Sequence, residues 1–446
     1  MKIKILGAWS LFLLIAVSGS VFLEGVQETK SPILSFSRYK LKNGLEVVLS
    51  ENYSLPIVSV VVAFGAGSIY EEPGKTGLAY FLENMMFQGS ANIGPMQHIG
   101  HINRIGGVAN ANTTEDITYF YQTVPSNQLA LALWLESDRM RSLEINVAKV
   151  EEAKASLLDE IAQRRSTEPY LESSWAFDRL IYPDVAHSHP ILGKEEDIRR
   201  LSLEDINNFY QTYYVPNNAV LCIVGSFNLA RARDLVEKYF GSIPPGKELP
   251  PYEPPKPAEK KEIVQSFREL LAPSPAIHLG YRMAAPYSAD FYPLTILDYI
   301  LLKGKSSRLY SRIMRRDNLS LSLSGGIEKR KDVAALKIFA MVNNETMIDI
   351  CQKAIFSEVQ KLRTSFVLDA ELQKAKNLFK RDYLRRFSTT METALFLAEM
   401  HFSSVGLEYA TGEIDKYLKV TPSEVVGAAS RYLGPENSVS LIVRIR

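Results

Sequence analysis

Residues Ser202–Gly225 read SLEDINNFYQTYYVPNNAVLCIVG, and 219 residues later Thr421–Arg444 read TPSEVVGAASRYLGPENSVSLIVR. At this spacing Tyr213 matches Tyr432, Pro216 matches Pro435, Asn218 matches Asn437 and Val220 matches Val439. Ile223 and Val224 likewise meet Ile442 and Val443. Each copy reads as a capped helix, a Pro-Asn turn and an apolar strand. A second pairing, LENMMFQG from Leu82 with LDYILLKG from Leu297, runs 215 residues apart. Two such pairings in the same order predict a tandem duplication.

The stretch between the copies agrees. IPPGKELPPYEPPKPAEKKE, residues 243–262, carries seven prolines between Pro244 and Pro257. Proline fixes its own backbone and donates no amide, so the segment predicts an extended linker. The expected organisation is a first domain over 30–243, a linker over 244–262 and a second domain over 263–446. Within the first, GLEVVLS from Gly44, IVSVVVAFGAG from Ile57 and ITYFYQTV from Ile117 are strand-like by β-branched enrichment. Thr76–Phe87 and Val147–Arg165 read as amphipathic helices. Blocks of strands followed by blocks of helices predict an α+β fold.

Composition excludes several functions. The 446 residues include 51 Lys and Arg against 50 Asp and Glu, a formal net charge of +1, with no basic block to attract nucleic acid. Lys2 and Lys4 precede an apolar run from Ile5, with Ala16, Ser18 and Ser20 offering cleavage sites. This layout predicts a signal peptide over residues 1–25 and an exported, periplasmic protein; a membrane enters only if that segment stays uncleaved as an anchor. Cys222 in an apolar strand and Cys351 in a helical stretch are expected to be buried free thiols. Two cysteines exclude both a disulfide framework and a thiolate metal site. GKSS at Gly304 lacks the upstream glycine of a phosphate loop, because that position is Tyr299.

The sequence GLAYFLENMMFQGS, residues 77–90, brings the chemistry into view. Together with YKLKNGLEVVLSENYSLPIVSVVVAFGAGSIYEEPGKT before it, GGVANANTTEDITYFYQTVP from Gly106 and the segment from His187 to Asn228, it resembles the pitrilysin/insulinase zinc peptidases, which include the mitochondrial processing peptidase. The resemblance covers nearly all of the chain after residue 30. It implies two homologous domains, each a mostly antiparallel sheet covered by helices, and peptide hydrolysis at an H-x-x-E-H motif. There, two imidazoles four residues apart hold zinc, a glutamate between them polarises water, and a second glutamate about eighty residues on completes the set.

In this chain the motif reads Tyr80, Phe81, Leu82, Glu83, Asn84. Glu83 keeps the base position and Glu160 stands where the third ligand is expected, but Tyr80 and Asn84 replace the histidines. A neutral phenol and a carboxamide are poor zinc ligands, so no metal and no other cofactor is expected at this place. The family's substrate-binding Arg/Tyr pair aligns with Met314 and Leu321, both apolar; Arg308 and Tyr310 read as structural. The substrate strand is kept as Asn110, Ala111 and Thr113; either this edge takes up peptide by strand addition, or these residues only keep the turn and edge of the fold intact. His98 and His101 read as a surface-facing pair, and His187 and His189 as loop residues.

The expectation is a non-catalytic peptidase homologue that pairs as a heterodimer with an active family member in peptide binding and proteolysis. Two alternatives remain open. One is a zinc endopeptidase with rearranged ligands from His98, His101 and Glu160. The other is a non-enzymatic assembly subunit, like the core proteins of the respiratory bc1 complex.

Overall fold

A computed structural model describes residues 27–30, 34–256 and 259–445. The leader expected over residues 1–25 lies outside the described residues. The first half builds a sheet from β1 (Gln27–Lys30), β2 (Ser35–Lys40), β3 (Glu46–Glu51), β4 (Ile57–Phe64), β5 (Val108–Thr113), β6 (Thr118–Pro125) and β7 (Ala219–Gly225). Their order is β1-β2-β3-β7-β4-β6-β5. The second half builds another from β8 (Ile263–Arg268), β9 (Ala276–Met283), β10 (Ser322–Arg330), β11 (Val333–Met341) and β12 (Ser438–Arg444), ordered β10-β11-β9-β12-β8. Only β3 with β7 and β8 with β12 are parallel. The last five strands of the first sheet thus match the second sheet strand for strand. The described residues between 244 and 262 form neither helix nor strand.

The duplicated segment folds as its composition asks. Ser202 and Thr421 cap the helices Leu203–Tyr213 and Pro422–Tyr432 through capping boxes with Asp205 and Glu424. Asn218 and Asn437 then fix the turns by donating to the carbonyls of Tyr213 and Tyr432, at 2.8 and 2.6 Å. β4 and β7 are buried almost throughout and carry apolar runs rather than strict alternation, because helices cover both faces.

The covering helices are exchanged between halves. Leu171–Ile181 belongs to the first half by sequence, yet it packs on β8, β9 and β12 of the second sheet, with Phe177 and Ile181 against Val439 and Leu441. Thr390–Phe402, 219 residues later, packs on β4 and β7 of the first sheet, where Phe396 and Leu397 join one core with Val61 and Cys222. Ser59 Oγ and Thr390 Oγ1 meet at 2.8 Å across that contact. Each sheet is therefore closed by the equivalent helix of its sister half. Cys222 and Cys351 are both buried and free.

Candidate functional site

The site helix runs Leu78–Met85, two residues shorter at each end than its apolar pattern predicts. Its start is fixed from outside. Gly77 has φ +94°, and a Cβ there would lie 2.7 Å from the Leu192 carbonyl, so glycine is required. The fully buried Glu71 carboxylate accepts the N–H groups of Gly77 (2.6 Å) and Ala79 (2.8 Å), capping the helix. Glu71 lies six residues before Gly77, outside the usual capping spacing, so nothing in the sequence pattern marks it.

Phe81, Leu82 and Met85 turn into the core, which leaves Tyr80, Glu83 and Asn84 on the other side of the helix. That side meets helix Val147–Thr167 and the edge strand β5. The Tyr80 hydroxyl donates to both Glu160 oxygens, at 2.9 and 3.1 Å. Burial and then this carboxylate push the Tyr80 phenol up to about 12. Glu160 also pairs with Arg164 one turn on, at 3.2 Å. Glu83 accepts the Thr113 hydroxyl at 2.5 Å, and its carboxyl is raised by burial although that bond opposes the rise. Thr113 continues to Thr118 at 3.2 Å, and Thr118 to the buried Tyr214 hydroxyl at 3.3 Å. Asn84 is exposed and folds its amide nitrogen back onto the Tyr80 carbonyl at 3.2 Å.

This donor set does not fit zinc. One carboxylate, Glu160, is already engaged by a phenol and a guanidinium; the phenol is protonated at neutral pH; the Asn84 amide bonds its own helix. Among the described residues no three His, Cys, Asp or Glu side chains are grouped to hold a metal ion, so the alternative set of His98, His101 and Glu160 is not assembled.

His98 itself corrects the expectation of a surface-facing pair. It is buried, with Nε2 3.2 Å from Gln122 Oε1 and 3.9 Å from Glu136, and burial holds its pKa well below the usual range. Its partners come from other elements, which is why helical spacing alone misplaced it. His187 is likewise not in a loop: it sits in the one-turn helix Val185–Ser188, buried between Asp184 (2.9 Å) and the Lys331 carbonyl (3.0 Å). His189 follows that helix, buried against the Ser68 carbonyl at 3.0 Å.

Asn110, Ala111 and Thr113 lie on β5, the outermost strand of the first sheet. Asn110 is exposed, while Ala111 and Thr113 face the core. Met314 packs against the hydrophobic core beneath the second sheet and Leu321 stands exposed just before β10. Arg308 is bound to Glu371 through two hydrogen bonds of 2.9 and 2.7 Å, a structural link. The second half repeats the site in fainter form. At the 215-residue spacing Asp298 answers Glu83 and Tyr299 answers Asn84. Asp298 accepts the Ile327 N–H of β10 at 3.3 Å, and the Tyr299 hydroxyl donates to Asp382 at 3.1 Å.

Comparison with known proteins agrees with this architecture. Residues 46–176 match the model for Insulinase (Peptidase family M16), and residues 200–379 match that for the Peptidase M16 inactive domain. The site helix, β5 and Glu160 all fall within the first match. The zinc protease PqqE of Helicobacter pylori is 27% identical over 411 residues, covering 91% of both chains. The mitochondrial-processing peptidase subunit beta of Blastocladiella emersonii is 25% identical over 406 residues, covering 88% of this chain and 85% of its own. The crystal structure of a protease from Helicobacter pylori superposes with a TM-score of 0.87 at 25% identity, covering 92% of this chain and 100% of that one. The chain belongs to the M16 (insulinase) family of peptidases.

Proposed function

We propose that this chain is a peptide-binding M16 homologue that does not hydrolyse peptides alone and pairs, outside the cytoplasm, with a zinc-bearing family member. The observation that carries the reading is the Tyr80–Glu160 hydrogen bond, which joins a lost ligand position to a kept one. A general base such as Glu83 needs a metal-bound water to act on, and Tyr80, Asn84 and Glu160 supply no adequate donor set for that ion. The edge strand β5 keeps the backbone groups through which an extended peptide adds to a sheet, a mode that needs no metal. The relative named as a subunit of a mitochondrial processing peptidase supports a two-chain arrangement.

The test is peptide cleavage by the purified chain, with and without chelator, alone and mixed with a zinc-binding M16 protein from the same source. The reading expects no chelator-sensitive turnover from the chain alone and more turnover from the mixture than from the partner by itself. Chelator-sensitive turnover by the chain alone would end it.

A further inference from the structure

The second sheet ends on an edge that its sister sheet keeps covered. β8 stands in the second sheet where β3 stands in the first, each parallel to the strand of the duplicated segment. The outer edge of β3 carries β2, antiparallel, with Ser37 opposite Leu49 and Lys40 opposite Glu46. The outer edge of β8 carries no strand among the described residues. The cause lies in the chain itself. Where the first half has β2, the second has the proline-rich segment, and proline cannot donate to a ladder.

β8 runs Ile263, Val264, Gln265, Ser266, Phe267, Arg268. Ile263 and Phe267 pack toward helix Leu171–Ile181, against the cluster of Phe177 and Leu441, with the exposed Gln265 between them on that face. Val264, Ser266 and Arg268 point to the other face, where all three are exposed, Val264 by 61%. From Ile263 to Phe267 the strand has no charge and no proline, the devices that blunt a free edge. The charges stand at its ends. Glu262 precedes the strand and Arg268 closes it, both exposed, and neither has a salt bridge among the described residues. Arg268 finds no complement on its inner side, because its neighbour on β12 is Arg444, itself paired with Glu345.

We propose that β8 is a docking edge for a second copy of this chain, the two β8 strands pairing antiparallel about a twofold axis at Gln265. The axis stands perpendicular to the sheet, so each face continues into the same face of the second copy. With Gln265 opposite the second copy's Gln265, Ile263 meets the second copy's Phe267 and Glu262 meets the second copy's Arg268. Symmetry repeats both pairs, so one short strand supplies two apolar pairs and two ion pairs. Charge selects this register. Moving the axis to Ser266 sets Arg268 opposite Val264, and moving it to Val264 sets Arg268 opposite Lys260. The surface uses neither the free edge of β5 nor the site helix, and so does not rest on the peptide-binding reading above.

The test is sedimentation of the purified chain at low salt from about 1 to about 100 μM, a range suited to an interface at the small end of the scale. A reversible monomer–dimer equilibrium is expected. Glu262→Arg and Arg268→Glu each set like charges opposite one another twice, and each should weaken the dimer at least about tenfold. Mixing the two variants brings opposite charges together again and should restore association to near the level of the unaltered chain. Hydrogen exchange on the unaltered chain gives a second readout, which decides should either variant fail to fold. Amides of 263–268 should exchange more slowly at the high concentration than at the low one, while those of β5 should not change. A chain that stays monomeric throughout, folded single variants that associate as the unaltered chain does, a mixture no tighter than either variant alone, or exchange at 263–268 that ignores concentration would each overturn the proposal.

Discussion

The Tyr80 hydroxyl lies 2.9 Å from Glu160 Oε1, bridging two helices across 80 residues of sequence. A catalytic ion would sit between these two positions in the family's active members. Here a proton-donating phenol links them instead.

Returning imidazoles to the helix should return the ion. Tyr80→His with Asn84→His places two imidazoles four residues apart beside Glu83 and Glu160, which are already in place. The double variant should bind zinc stoichiometrically, measured by metal analysis after dialysis, with the unchanged chain as control. A double variant that folds but takes up no zinc would show that Glu160 is not positioned as a ligand.

Thr113→Val should destabilise the fold by about 1–3 kcal/mol, because it strips a hydrogen bond from the partly buried Glu83 carboxylate. Glu83→Gln in the same background should recover part of that loss, since an amide costs less to bury than an anion. Urea unfolding of the wild type and the two variants checks the order. Equal stability of Thr113→Val and wild type would mean that the Glu83–Thr113 bond contributes nothing.

Acid should weaken the protein partly through His278. Burial and then Lys337 hold this imidazole down at about 3, against 6.5 when unfolded. Between those values the unfolded chain takes the proton and the folded chain does not. Stability from this group is therefore present above 6.5 and lost as pH falls toward 3, by about 1.4 kcal/mol per pH unit. Asp116 and Asp298, both raised to about 6 by burial, act in the opposite sense between 3.8 and 6. Comparing wild type with His278→Gln over the window isolates the histidine: the wild type should lose stability more steeply on acidification. Parallel curves would contradict the assignment.

The duplication was legible in the matched copies at Ser202 and Thr421, and the Tyr80–Glu160 separation was legible as a count. The helix exchange was not. Periodicity says which face of Leu171–Ile181 is apolar, and it is silent about whose sheet that face covers. His98 was misplaced for the same reason, since Gln122 and Glu136 reach it from β6 and from helix Leu129–Ser142. Glu71, too far from the helix it caps for any local pattern, could be found only in three dimensions.

The exchange makes the halves mutually dependent. Expressed alone, residues 27–243 would leave Val61, Ala63, Val220 and Cys222 without the Thr390–Phe402 helix, and residues 259–445 would lack Leu171–Ile181. Neither should unfold cooperatively in isolation, and co-expression should restore a complex with a cooperative transition. A cooperative thermal transition in either half alone would refute this.

The most direct measurement is the zinc content of the unaltered chain at neutral pH after equilibrium dialysis against zinc, with Glu160→Gln alongside. The reading of an emptied peptidase site predicts that both proteins hold substoichiometric, indistinguishable amounts. One tightly held zinc per chain in the wild type, lost in Glu160→Gln, would contradict it.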